Sequence, residues 1–279
     1  MFRYSATQWI YGNEEIETSL RRLKRFGYDG VELAGEPASL NVEEVSNLLR
    51  KYELICTSIC GIYTRERDLS SPNLDTRRNA VQYVKDCVDL AAGVGAALVI
   101  VVPSPVGKNA PDTTYEEEWE NSVASIREAG EYAKTKGINL AIEALNRFET
   151  YLVNKLDDAK KLAEQTNVDS VKLMADLFHM NIEERNLSAA IRNIAPVLAH
   201  VHIADNTREA AGLGVIDFKQ VLRSLIENGY QGSITMEFLP PVSNPYLAAQ
   251  RESGASIAVF DRYTQQSIDH IKHIVESLA

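Results

Sequence analysis

Four side chains able to bind a metal close four strand-like runs in the second half of this 279-residue chain. Glu143 lies in the stretch Ile138 to Glu149, Asp176 ends Val171 to Asp176, His202 falls in Leu198 to Ile203 and Glu237 in Ser233 to Phe238. Side chains two apart on a strand share a face, so the apolar Ile142, Val201 and Met236 point away from the ligand's side. That side carries the small or polar Asn139, Ala141, His200, Ser233 and Thr235. This is the pattern of a sheet whose outer face packs on helices while its inner face lines a barrel interior leading to a site. One carboxylate at a strand end reads as a solvated charge, but four ligands from four strand ends imply one metal ion. Two glutamates, an aspartate and a histidine form an oxygen-rich set suited to a six-coordinate hard or borderline ion, Mn²⁺ first, with Mg²⁺ or Co²⁺ as alternatives, rather than tetrahedral structural zinc. A sugar with a carbonyl beside a hydroxyl chelates such an ion through both oxygens, and the metal acts as a Lewis acid that stabilises an enediolate.

The elements that must position these residues alternate along the chain. Tyr4 to Trp9 reads as a strand, followed by a helix capped by Asn13 and reaching Phe26. Gly30 to Leu33 is the next strand, Asn41 caps the next helix, and Leu54 to Gly61 is the third strand. A helix from Asp75 to Ala92 is followed by a turn at Gly93 and Gly95 and then the strand Ala96 to Val102. Pro103 to Pro111 is a Pro- and Gly-containing loop on the side of the ligand-bearing strand ends, placed to cover the site. Helices follow at Tyr115 to Lys136, Leu156 to Glu164, Ser188 to Ile194, Phe218 to Asn228 and Ala255 to Leu278. Strand and helix alternate eight times. That predicts a (β/α)₈ TIM barrel, one domain over residues 1–279, with its site at the C-terminal strand ends. A doubly wound open sheet is the rival, but no Gly-rich phosphate fingerprint follows the first strand.

Composition narrows the partners. A formal net charge of -10 argues against a nucleic-acid surface, which needs clustered Lys and Arg, and favours a small-molecule sugar. Cys56, Cys60 and Cys87 are an odd number without metal-ribbon spacing, so no disulfide framework is expected. The N-terminus lacks a signal-peptide apolar region and no apolar run approaches a membrane span, so a cytoplasmic enzyme that does not contact membrane is the expectation.

The resemblance of the second half is specific. Glu143 with Glu149 in Glu-Ala-Leu-Asn-Arg-Phe-Glu, Asp176 with His179 in Asp-Leu-Phe-His, His202 with Arg208 in His-Ile-Ala-Asp-Asn-Thr-Arg, and Glu237 in Met-Glu-Phe together resemble the ketose 3-epimerase family, of D-tagatose or D-psicose type. The likeness is strong over residues 138–238, and the N-terminal half is similar only to the wider xylose-isomerase-like barrel superfamily. It implies that Glu143, Asp176, His202 and Glu237 hold the metal, that Glu143 and Glu237 are also the acid/base pair, and that Glu149, His179 and Arg208 hold substrate oxygens. It also implies a homo-oligomer, dimer or tetramer. The chemistry is coherent, because inverting a carbon through a planar enediolate needs a carboxylate on each face. Arg208 and His179 would donate hydrogen bonds that favour the developing negative charge.

Other features carry less. His200 shares a face with His202 but lies deeper, as a residue behind the ligands or in the core. Gly212 to Gly214 lacks the Lys-Ser/Thr of a phosphate loop and reads as a turn. Trp9, Tyr63 and Phe178 either wall a sugar or pack in the core, and His270 and His273 are expected on the surface. The loop Pro103 to Pro111 and the segment Pro240 to Glu252 do not match the family, which leaves the ketose open. The rivals are an aldose–ketose isomerase of the same superfamily and an endonuclease IV-type phosphodiesterase, the latter disfavoured by five histidines and the acidic charge.

Overall fold

A computed structural model describes residues 2–239 and 254–278. Eight strands pair in parallel in chain order: β1 (Arg3–Thr7), β2 (Gly30–Gly35), β3 (Ile55–Gly61), β4 (Leu98–Val101), β5 (Asn139–Ile142), β6 (Val171–Asp176), β7 (Leu198–Ile203) and β8 (Ser233–Met236). Ser5 of β1 stands opposite Thr235 of β8, which closes the (β/α)₈ barrel. Around it lie α1 (Ile16–Arg25), α2 (Val42–Tyr52), α3 (Leu74–Val94), α4 (Tyr115–Thr135), α5 (Leu156–Thr166), α6 (Leu177–Glu183), α7 (Leu187–Ile194), α8 (Phe218–Glu227) and α9 (Gly254–Leu278).

Local chemistry sets the boundaries. Asn41, Asn73 and Thr114 accept backbone N–H groups at the starts of α2, α3 and α4, which pairs donors that the first helical turn leaves without partners. Asn13 is not a cap: α1 starts at Ile16 after Glu15, whose side chain makes no cap bond, and Glu14 pairs with Arg22 instead. Gln8 and Trp9 leave β1 and enter a 3₁₀ turn, Gln8–Tyr11. Gly93 belongs to α3 rather than the turn, where it lets α2 approach, since a Cβ there would lie 2.8 Å from Val42.

The core has two parts. The larger one fills the layer between barrel and helices, with Val31, Leu33, Ile142, Val201 and Met236 among its buried residues. The smaller one is inside the barrel and is formed by Cys60, Leu98, Ile100, Ala141 and Met174, from β3 to β6. The rest of the interior is polar. Ser5 and Thr235 hydroxyls meet at 2.6 Å, Thr57 donates to Ser5 at 3.1 Å, and Ser58 donates to Glu32 at 2.6 Å.

Candidate active site

The four expected ligands converge. One donor atom each from Glu143, Asp176, His202 and Glu237 lie within 4.8 Å of one another, all four residues buried at the C-terminal ends of β5, β6, β7 and β8. Asp176 has two roles in the fold. Its Oδ1 accepts the N–H groups of Phe178 at 2.7 Å and His179 at 3.2 Å, starting α6, while Oδ2 faces His202 Nδ1 at 3.7 Å. From the sequence no helix is expected around His179. It lies in this seven-residue helix, too short to show a helical period.

The electrostatics call for a cation. Burial and the facing Glu237 carboxylate push Glu143 well above the ordinary carboxylate value. Burial also raises Glu237, against the opposing effect of His202 and Arg208. For Asp176 burial acts upward too, but His179, Arg208 and His202 outweigh it and hold the group well below its usual range. Burial would deprotonate His202, yet Glu237 and Glu32 raise it well above an ordinary histidine. Three carboxylates against the single guanidinium of Arg208 leave two negative charges when His202 is neutral, as a metal ligand must be. The donor set and its charge therefore fit one divalent ion.

Arg208 and His179 lie beside this cluster. Arg208 Nη2 donates to Glu237 Oε2 at 2.8 Å, and its guanidinium lies 4.5 Å from the Phe178 ring centre. Its φ of 64° is in the left-handed region, which is costly for a side chain of this size. The Asp205 loop imposes it. Asp205 accepts the N–H groups of Asn206, Gly212 and Ile216, its carbonyl accepts that of Arg208 at 2.8 Å, and the Arg208 carbonyl accepts from Leu239 at 2.7 Å. His179 Nδ1 accepts the Asn146 backbone N–H at 3.2 Å, so the proton of the neutral ring sits on Nε2. Burial pushes this histidine down to about 4, which keeps it neutral. Its Nε2 lies 3.2 Å from Arg208 Nη1, which brings the two nitrogens side by side at the cavity. Glu149 Oε1 accepts from the Asn146 side chain at 2.9 Å.

Glu143, Glu149, His179, Arg208 and Glu237 line one cavity of about 650 Å³, together with Trp9, Tyr63, Glu36 and Val106. Trp9 Nε1 donates to Glu237 Oε1 at 2.9 Å, so both Glu237 oxygens accept hydrogen bonds. Phe178 stacks with Arg208 instead of forming the wall. The loop after β4 reaches the cavity through Val106 and is fastened by Lys108. Although a lysine in a polar loop reads as solvated, this one is fully buried, with Nζ 2.8 Å from Asp68, 3.2 Å from Asp112 and 2.5 Å from Glu118. His270 is not simply a surface residue, since it packs edge-on to Phe218. Pro240 to Glu252 lies outside the described residues.

Sequence reasoning missed Glu32 altogether. It is fully buried on β2, and Ser58 Oγ at 2.6 Å, His200 Nε2 at 2.9 Å and His202 Nε2 at 3.1 Å all meet its Oε2, with His202 Nε2 also 3.0 Å from Oε1. Glu32, His200 and His202 also form a compact ligand-type group, but separations of 2.9–3.1 Å are those of hydrogen bonds. The one signal in the sequence was a charge between Val31 and Leu33, at an inward position of an alternating strand.

The chain is similar in sequence and in fold to known proteins. Residues 20–262 match the family model described as xylose isomerase-like TIM barrel. The D-psicose 3-epimerase of Ruminiclostridium cellulolyticum is 29% identical over 96% of each chain. The 3-dehydro-D-guloside 4-epimerase of Escherichia coli is 31% identical over 80% of this chain and 87% of its own. The crystal structure of D-psicose 3-epimerase with D-tagatose, from Clostridium cellulolyticum, superposes with a TM-score of 0.88 at 25% identity, covering 98% of this chain and 99% of that one.

Proposed function

The chain belongs to the xylose isomerase-like TIM barrel family, and from that premise we propose that it is a metal-dependent ketose 3-epimerase, inverting C3 of a free ketose through a cis-enediolate. The observation that carries this reading is the convergence of two glutamates, from strands three apart round the barrel, on one buried centre with an excess of negative charge. Glu143, Asp176, His202 and Glu237 would hold one divalent ion, Mn²⁺ in preference to Mg²⁺ or Co²⁺. When bound, the ion supplies Lewis acidity that makes the hydrogen beside the substrate carbonyl removable.

The protein's own groups do the rest. Glu143 and Glu237 flank the reacting carbon, one taking its proton and the other returning one to the opposite face. Trp9 and Arg208 fix the orientation of Glu237 through its two oxygens. Arg208 Nη1 and His179 Nε2–H donate to substrate oxygen, where negative charge grows as the proton leaves, and the left-handed backbone of Arg208 holds that donor in place. Glu149, tied to Asn146, accepts from a substrate hydroxyl. No described helix is long and apolar enough to cross a membrane. The reading extends to a cytoplasmic homo-oligomer, dimer or tetramer, acting on a non-phosphorylated sugar.

A second reading has a specific observation behind it, the 31% identity to a 3-dehydro-D-guloside 4-epimerase. Inversion at C4 beside a C3 ketone uses the same proton transfer between two carboxylates. The test is incubation of Mn²⁺-loaded protein in D₂O with ketohexoses, ketopentoses and 3-keto-glycosides, with NMR of the products. Deuterium at an inverted C3 of a free ketose supports the first reading, and deuterium at an inverted C4 of a 3-keto-glycoside selects the second. Transfer between C1 and C2 with aldose formation sinks both.

A further inference from the structure

Beneath His202 lies a part of the barrel interior that the reaction as described does not use. Glu32, Ser58 and His200 come from β2, β3 and β7, and each is fully buried. Glu32 accepts from Ser58 Oγ at 2.6 Å and stands 2.9 Å from His200 Nε2 and 3.0 Å from His202 Nε2. An ionised carboxylate only accepts, so both imidazoles present N–H to it. His200 Nδ1 has no hydrogen-bond partner among the described residues, so the nitrogen that faces Glu32 carries the ring's one polar contact in this group.

Two irregularities in the sheet build this arrangement. The register between β2 and β3 shifts after Val31, so that Glu32 stands opposite Ser58 instead of Thr57. The register between β6 and β7 shifts after Leu173, so that Met174 stands opposite His200 instead of Ala199. Each inserts one residue, and each turns toward Glu32 a side chain that regular pairing would set elsewhere. Bulges near active sites serve to re-aim side chains in this way.

We propose that Glu32, braced by Ser58 and His200, is a positioning residue for His202, holding its proton on Nε2 so that the Nδ1 lone pair is directed at the metal centre. This rests on the reading of His202 as a metal ligand. A bound imidazole must offer one nitrogen unprotonated, and which one is set by the hydrogen bond the other makes. Here Nδ1 faces Glu237 at 3.0 Å and Asp176 at 3.7 Å, while Nε2 faces Glu32. Both nitrogens face carboxylates, and once Nδ1 is given to an ion the ring proton is left on the nitrogen that Glu32 holds.

The experiment compares the wild type with Glu32→Gln, which keeps volume and one acceptor oxygen but loses the charge. Mn²⁺ titration by calorimetry should show one ion per chain, bound about 10- to 100-fold more weakly by the folded variant. NMR of Mg²⁺-loaded, ¹⁵N-histidine-labelled protein should show His202 protonated on Nε2 in the wild type, with that signal shifted or lost in the variant. If Glu32→Gln does not fold, Glu32→Asp, which keeps the charge but withdraws it by one methylene, is read by the same two measurements. A folded variant that binds Mn²⁺ as tightly as the wild type, with the His202 proton unmoved, overturns the proposal and leaves the metal reading standing. Wild-type protein that binds no ion overturns both, and two ions per wild-type chain with one lost in the variant would make Glu32 a ligand instead.

Discussion

The interior of this barrel is divided. From β3 to β6 it is filled by Cys60, Leu98, Ile100, Ala141 and Met174, a small apolar plug of the kind that fills many barrels. From β7 through β8 and β1 to β3 it is hydrogen-bonded: Thr235 to Ser5, Ser5 to Thr57, Thr57 to Ser58, Ser58 to Glu32, and Glu32 to His200 and His202. The apolar half costs little to bury and holds the strands at their spacing. The polar half is costly to bury unless it is hydrogen-bonded, and its bonds, although Glu32 Oε1 and His200 Nδ1 have no partner among the described residues, fix the directions of its side chains. The lesson is that stability and side-chain orientation are supplied by different sectors of one layer, and changes to the two should have separable effects.

The largest expected effect strikes the mouth above the polar half. Stripping the metal with a chelator should lower epimerisation by at least ~10³-fold, from the several kcal/mol of charge stabilisation at stake. Mn²⁺ or Co²⁺ should restore activity better than Zn²⁺, measured as product formation after dialysis and reloading. Next, Arg208→Ala should cost about 10²- to 10³-fold in kcat/KM, as loss of one donor to a developing negative charge does, with metal content by atomic absorption unchanged. Loss of the metal in that variant would move Arg208 from substrate to ion.

Changes within the two sectors should be smaller and of different kinds. Ile100→Ala, in the apolar plug, should lower stability by about 2–5 kcal/mol in urea unfolding, with Mn²⁺ affinity of the folded protein unaltered. If affinity falls with it, the division between sectors fails. Thr235→Val removes one hydroxyl bond to Ser5 and should cost about 1 kcal/mol, since Ser5 keeps Thr57 as a partner.

How much of this was legible in the sequence follows from the same division. The strand-end residues stood out because each is polar within an alternating run, and their convergence at the C-terminal face follows from barrel topology. Asn41 was readable as a cap since its signal is local. Glu32 was not, because its role depends on two bulges, and one extra residue in a strand leaves no mark in the spacing. Helix α6 was missed since seven residues do not establish a period, although Asp176 two residues before Phe178 was a cap signal in plain view. The burial of Lys108 depends on carboxylates from three segments, 40 residues upstream in the case of Asp68, and no local pattern carries that.

The most direct test of the two-carboxylate account uses Glu143→Gln and Glu237→Gln, both metal-loaded, incubated separately with each of two C3 epimers in D₂O. Net epimerisation should fall by ~10²- to 10⁴-fold in each, as for loss of a general acid or base. Any remaining solvent exchange should label opposite epimers in the two variants, because each keeps the glutamate on a different face. Epimerisation at the wild-type rate by both metal-loaded variants would contradict the mechanism, and exchange into the same epimer by both would show that the two glutamates do not stand on opposite faces of the reacting carbon.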